Sequence, residues 1–164
     1  MNEVMCTAED NGFKMFYQDT DSIHISNNDI VKLENVFKNK YNRDLIGKNL
    51  GQFHSDFSIE GCKNIVAVES IFLGKKSYID VIQGEDITTG EIKQDYHIRL
   101  KGIPNQVILN YCEKQNITPL KLYKHMYDGK KISFDLTDGS TCFDFKPDYS
   151  IITKKVFTRE INFL

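Results

Sequence analysis

The chain has 164 residues, 40% of them apolar and 12% aromatic, with a formal net charge of −2. That length buries one modest core or two small subdomains, and no apolar run approaches the ~20 residues of a membrane span. The first residues, Met1 to Cys6, lack the basic and apolar regions of a secretory signal. An intracellular protein, in cytoplasm or nucleus, is expected. Cys6, Cys62, Cys112 and Cys142 lie far apart with no Cys-x-x-Cys pair, so reduced thiols are expected over a disulfide or zinc framework.

Met1 to Asp10 reads as the end of a helix, with Val4, Met5 and Ala8 on one side and Asn11-Gly12 as its stop. Phe13 to Tyr17 reads as a strand and Ile23-His24-Ile25 as its return, which places Asp19 and Asp21 at the tip of a β-hairpin. Two carboxylates about 6 Å apart at an effective dielectric of ~20 repel by roughly 3 kcal/mol unless a cation or donors compensate. Oxygen-rich turns of this kind suit Mg²⁺, whereas Asp and Thr are also ordinary residues of a solvated turn. An EF-hand loop opened by Asp19 fails, because Ile23, His24 and Ile30 stand where that loop needs an oxygen ligand, a glycine and a glutamate.

Asn28 or Asp29 can cap a helix carrying Ile30, Leu33, Val36 and Phe37 as its apolar stripe. Residues 39–51 read as a connecting loop. Strands follow at Gln52 to Ile59, Asn64 to Leu73, Lys76 to Ile82 and Gln94 to Leu100, with a loose connection over Gly84 to Gly90. Together they are expected to continue one antiparallel sheet from the first hairpin. Gly102-Ile103-Pro104 marks a boundary, followed by two helices, one after Pro104 and one after Thr118-Pro119 that ends at Asp128-Gly129. Lys131 to Leu164 reads as three short strands, with a turn at Asp138-Gly139 between the first two. The fold class expected is α+β, divided into residues 1–103 and 104–164.

Tyr17-Gln18-Asp19-Thr20-Asp21-Ser22, between an apolar strand and Ile-His-Ile, resembles the third palm motif of family B DNA polymerases. Gly74-Lys75-Lys76-Ser77-Tyr78 follows. If Lys76 and Tyr78 share a strand face, an ammonium and a phenol can hold a nucleic-acid strand, the ring stacking or donating to the minor groove. An exposed edge lysine beside a half-buried tyrosine is the plainer alternative. Lys76-Ser77-Tyr78 is similar to the family's Lys-x-Tyr motif, and Arg99-Leu100-Lys101-Gly102 to its later Lys-Gly segment. Motif spacing resembles the protein-primed branch used by some viruses, linear plasmids and mobile elements.

The resemblance implies an antiparallel palm sheet with flanking helices over residues 1–103 and a small α+β thumb over 104–164. It implies Asp21 as a direct ligand of Mg²⁺ (or Mn²⁺) and Asp19 as a supporting carboxylate, the pair being catalytic. Tyr17 and Thr20 would lie beside the incoming nucleotide, and Lys76, Tyr78 and Lys101 would hold the primer. The partners implied are DNA primer–template, dNTP, a terminal-protein primer, and an N-terminal half with the exonuclease, first palm carboxylate and fingers. Those parts precede the acidic turn in the family, so the chain reads as a C-terminal piece: a fragment, a split-gene product or a truncated frame. Two other classes stay open, a DNA-binding accessory module without catalysis and a metal-dependent nuclease or phosphatase using the acidic turn. No membrane partner is expected.

Overall fold

The computed structural model describes residues 1–163, with backbone alone at positions 137, 138 and 140. The chain is an α+β protein, in the order α1 (Asn2–Asp10), β1 (Met15–Asp19), β2 (Ser22–Ile25), α2 (Asn27–Tyr41), β3 (Cys62–Gly74), β4 (Ser77–Asp86), β5 (Ile92–Leu100), α3 (Asn105–Gln115), α4 (Pro119–Tyr127), β6 (Ile132–Phe145) and β7 (Ile151–Ile161). It divides into two compact units: residues 1–66 with 83–94, and residues 67–82 with 95–164. Pro104 falls inside the second unit. No helix is long and apolar enough to cross a membrane among the described residues.

In the first unit, α1 ends as the Asn11-Gly12 signal requires. Gly12 takes φ +69, its N–H bonds Glu9 O at 3.0 Å, and Phe13 N–H bonds Ala8 O at 2.9 Å. These two bonds are a Schellman motif, and they turn the chain directly into β1. Val4 and Ala8 of α1 pack with Leu33 and Phe37 of α2 and with Leu45, and Met15 and Ile25 of the hairpin lie against this core.

The expected strand over Gln52 to Ile59 is not formed. Residues 42–61 are irregular apart from a single parallel bridge between Ile46 and Phe53. Their polar side chains bond nearby backbone instead of leaving it to a ladder: Gln52 Oε1 accepts from Asn49 N–H at 2.9 Å and Ser55 Oγ from Phe57 N–H at 3.3 Å. The sheet is therefore interrupted. β1 and β2 form a two-stranded sheet of their own, and β3-β4-β5 form another joined by hairpins.

The β4–β5 turn is held by Asp86. Its Oδ1 accepts from Thr88 N–H at 2.8 Å and Thr89 N–H at 2.9 Å, and its Oδ2 faces Lys93 Nζ at 2.5 Å. The Lys93 bond, then the two amides, hold the Asp86 carboxyl well below the usual carboxylate range. A folded-state value below the unfolded one gives stability that is complete above about pH 4 and lost as pH falls through the depressed value. A carboxyl-carbon NMR titration should place the Asp86 midpoint well under that of an exposed aspartate. A midpoint in the ordinary range would contradict the assignment.

In the second unit, Ile79, Ile98 and Leu100 of the sheet pack with Ile108 and Cys112 of α3 and with Leu122, Tyr123 and Met126 of α4. Thr118 caps α4 by accepting from Lys121 N–H at 3.2 Å, with Pro119 at its first position. Tyr123 donates to Arg99 O at 2.8 Å, and burial pushes its phenol pKa far up. Burial also raises the Cys112 thiol to about 11, and all four cysteines are free.

The C-terminal segment is two long antiparallel strands rather than three short ones. Asp138-Gly139 is a bulge inside β6, not a reversal. Asp135 pairs with Thr158 and Ser140 with Val156, so residues 136–139 stand opposite Phe157 alone. Gly139 at φ +68 bends the strand without turning it back. The reversal comes at 146–150, where Lys146 N–H bonds Ser150 O at 2.9 Å and Asp148 Oδ1 accepts from Ser150 N–H at 3.0 Å.

Candidate functional site

The acidic turn lies where the sequence places it, in the first unit. Asp19 pairs with Ser22 across the hairpin, which leaves Thr20-Asp21 as a two-residue loop. Thr20 takes φ +45. A β-branched residue in that region is strained, at a cost on the order of 1–3 kcal/mol, and such strain concentrates at functional positions. Ser22 Oγ donates to Asp19 O at 3.1 Å and Thr20 Oγ1 to Asp19 Oδ1 at 3.1 Å, which tie the loop to itself. Asp19 is half-buried and Asp21 exposed. Among the described residues, no lysine or arginine pairs with either carboxylate. The hairpin tip thus presents two carboxyl groups without a cationic partner among the described residues.

Tyr17 lies two residues before Asp19 and so shares its face of the strand. Its cross-strand partner is His24, ring centroids 5.5 Å apart and near perpendicular. Phe57, from the irregular segment, stands 6.1 Å beyond the imidazole. His24 is thereby part of the aromatic wall beside the acidic turn.

Lys76, Tyr78 and Lys101 belong to the second unit, and the structure brings their segments together. β3 ends at Gly74 and β4 begins at Ser77, so Lys75-Lys76 is a hairpin loop, with Lys76 at φ +58. The strand expected to begin at Lys76 begins one residue later, and the shared-face reading of Lys76 and Tyr78 is corrected accordingly. Tyr78 is 8% exposed, its ring 6.0 Å from Phe72 and 5.8 Å from His97. Stacking on a nucleic-acid base needs an open ring face that this packing does not offer. Ser77 Oγ accepts from Lys101 N–H at 3.3 Å, a bond that sets the exposed Lys101 beside the Lys75-Lys76 loop across 24 residues of sequence.

Arg159 of β7 joins this corner. Its Nη1 donates to Gly102 O at 3.2 Å, and a Cβ at position 102 would fall 2.1 Å from the same nitrogen. Gly102, at φ +76, is favoured by its conformation, whereas the guanidinium is the tip of a flexible side chain that can shift aside. The glycine after Lys101 was the sequence signal for such a close approach, but nothing in the sequence identified the arginine.

Alternate residues of β7 carry Lys155, Phe157 and Arg159, and the pairing sets Phe143 opposite Thr153 and Phe145 opposite Ile151 on that same face. Phe143, Phe145 and Phe157 are exposed by 66%, 75% and 56%. Open aromatic rings and cations therefore share one side of the β6–β7 hairpin, with Arg159 reaching Gly102 at the Lys101 corner.

A buried group that the sequence did not single out lies in the β3-β4-β5 sheet. Asp80 is 0% exposed, with Ser70 Oγ 2.6 Å from its Oδ1 and His97 Nδ1 3.2 Å from its Oδ2. The acid interrupting Tyr78-Ile79-Asp80-Val81-Ile82 was its visible sign. Because serine and histidine both address the aspartate, the order needed for nucleophilic catalysis, with histidine between the other two, is absent from this cluster.

Asp19 and Asp21 offer hard oxygen donors suited to Mg²⁺. Among the described residues, no group of three or more His, Cys, Asp or Glu side chains is arranged to hold a metal ion. Two carboxylates alone can supply only part of a divalent-ion shell. In comparisons with family models, curated proteins and solved structures, nothing matched.

Proposed function

We propose that the chain is the palm-end and thumb portion of a protein-primed family B-type DNA-directed DNA polymerase, acting together with an N-terminal half inside the cell. The observation that carries the reading is the strained two-residue hairpin loop that presents Asp19 and Asp21 without a cationic partner among the described residues. In this role the two carboxylates hold Mg²⁺ or Mn²⁺ together with the dNTP phosphates. When bound, the metal lowers the pKa of the primer 3′-hydroxyl and stabilises charge on the departing pyrophosphate.

The chain's own residues do the rest. Tyr17 and Thr20 flank the incoming nucleotide. Lys76 and Lys101 pair with backbone phosphates at the primer end, and Tyr78 offers its phenolic edge rather than its ring face. The Phe–Lys–Arg side of the β6–β7 hairpin has the aromatic and cationic composition of a nucleic-acid track. Residues 1–103 correspond to palm and 104–164 to thumb, and the N-terminal half supplies the remaining carboxylate and the fingers.

Lys76→Ala tests the primer grip. Binding of a labelled primer–template duplex, followed by anisotropy as salt rises, should weaken, and the log–log salt slope should shrink by about 0.9. An unchanged slope would remove Lys76 from the interface. A DNA-binding module without catalysis is the second reading, favoured by the presence of Lys76, Lys101, Lys155, Arg159 and the exposed Phe143, Phe145 and Phe157 in the second unit. Mixing with the N-terminal half separates the two, because an accessory module restores no template-directed extension.

A further inference from the structure

The β6–β7 hairpin is rooted in the core of its unit and then extends beyond the buried residues. At the root Ile132, Phe134 and Leu136 are buried, and the Phe134 ring stands 5.2 Å from that of Tyr111. Pairing carries the same side of the sheet outward through Phe157, Phe143 and Phe145. Each of these three side chains is more than half exposed. A core wall at one end thus becomes an open aromatic surface at the other.

The register sorts charge as well. Lys155 and Arg159 share the phenylalanine side, with no carboxylate there among the paired residues whose side chains are described. Asp135, Asp144 and Glu160 all fall on the opposite side. Arg159 is engaged by Gly102 O, whereas Lys155 is exposed and has no acid partner among the described residues. The bulge brings cation and ring together. A Cβ at Gly139 would fall 3.1 Å from Phe157 Cε1 and 3.4 Å from Lys155 Cδ, so the ring and the lysine stem both lie against a residue without a side chain.

Open rings gain from a flat base laid on them, and a cation beside them gains from a phosphate. In a duplex the bases cover one another's faces, so an unpaired strand is the form that offers both. A second copy of the chain would bring Lys155 against a surface of its own sign. We propose that this side of the hairpin binds an unpaired nucleic-acid strand, with bases stacked on Phe143, Phe145 and Phe157 and a phosphate at Lys155. This rests on reading the hairpin as a nucleic-acid track and is independent of the acidic turn.

Anisotropy on the full chain tests it, using labelled oligo-dT of about 12 nucleotides, an abasic strand of equal length and a duplex. Circular dichroism confirms that each variant folds. Oligo-dT should bind at least about tenfold tighter than the abasic strand, which keeps the phosphates and lacks the bases. Phe143→Ala and Phe157→Ala should each weaken oligo-dT binding at least about fivefold, and leave abasic and duplex binding within about twofold of the parent. Phe143→Trp keeps a ring and should bind oligo-dT as tightly as the parent. Lys155→Ala should weaken oligo-dT and abasic binding alike and reduce the log–log salt slope by about 0.7.

Equal affinity for oligo-dT and the abasic strand overturns the stacking role and leaves a track that holds phosphate alone. Oligo-dT affinity unchanged in both phenylalanine variants, or duplex affinity lost as much as that of oligo-dT, overturns it too. A dimer in sedimentation velocity that dissociates in Phe143→Ala would assign the face to a second copy and overturn the proposal. Absence of binding to all three probes by the parent chain overturns the track reading itself, and this inference with it.

Discussion

Asp21→Asn, in the chain assembled with its N-terminal half, should lose nucleotide incorporation by at least about a thousandfold, the equivalent of roughly 4 kcal/mol of transition-state stabilisation. The amide keeps the size and shape of the carboxyl but gives up the charge that a divalent ion requires. Asp21 is exposed in the loop and anchors nothing in the fold, so folding and primer–template affinity should stay within about twofold of the parent. Asp19→Asn should cost less, since that carboxylate is half-buried and partly engaged by the Thr20 hydroxyl. Primer extension scored by gel, with binding measured in parallel, gives both numbers. Equal losses of binding and incorporation would mean that Asp21 serves DNA affinity, not chemistry.

The second large effect is on stability. Asp80→Ala removes a fully buried acceptor and leaves the Ser70 hydroxyl and the His97 ring facing a cavity. Breaking a buried pair from one side costs about 3–5 kcal/mol, which for a chain of this size lowers the melting temperature by roughly 6–20 °C. Asp80→Asn keeps an oxygen for one of the two donors and should fall between the parent and Asp80→Ala. Thermal unfolding followed by circular dichroism measures the shift. A change under about 2 °C for Asp80→Ala would show that the cluster contributes little to the fold.

Local chemistry was the legible part of this sequence. Asn11-Gly12, Thr118-Pro119 and Asp128-Gly129 marked helix ends because each residue type solves a backbone problem at that position. The hairpin around Asp19 and Asp21 was legible for the same reason, as two short apolar runs separated by turn residues. Periodicity misled where polar side chains took over the backbone bonds, as Gln52 and Ser55 do in the irregular segment. The Asp138-Gly139 turn signal misled as well, because a left-handed glycine marks a bulge as readily as a reversal. The sheet register that joins Ser77 to Lys101 and brings Asp80 between Ser70 and His97 depends on long-range pairing. No local pattern of residues encodes that pairing. Arg159 was invisible for the same reason, being 57 residues from the glycine it meets.

Metal-directed backbone cleavage tests the central claim most directly. Fe²⁺ with ascorbate and peroxide replaces Mg²⁺ at its site and cuts the chain wherever the ion resides. In the assembled protein with primer–template and dNTP, cleavage of this chain should centre within a few residues of Thr20. It should be suppressed by excess Mg²⁺ and disappear in Asp21→Asn. Cleavage centred elsewhere in the chain, or cutting at Thr20 that persists in Asp21→Asn and ignores Mg²⁺, would contradict the assignment of the acidic turn as the metal-holding element.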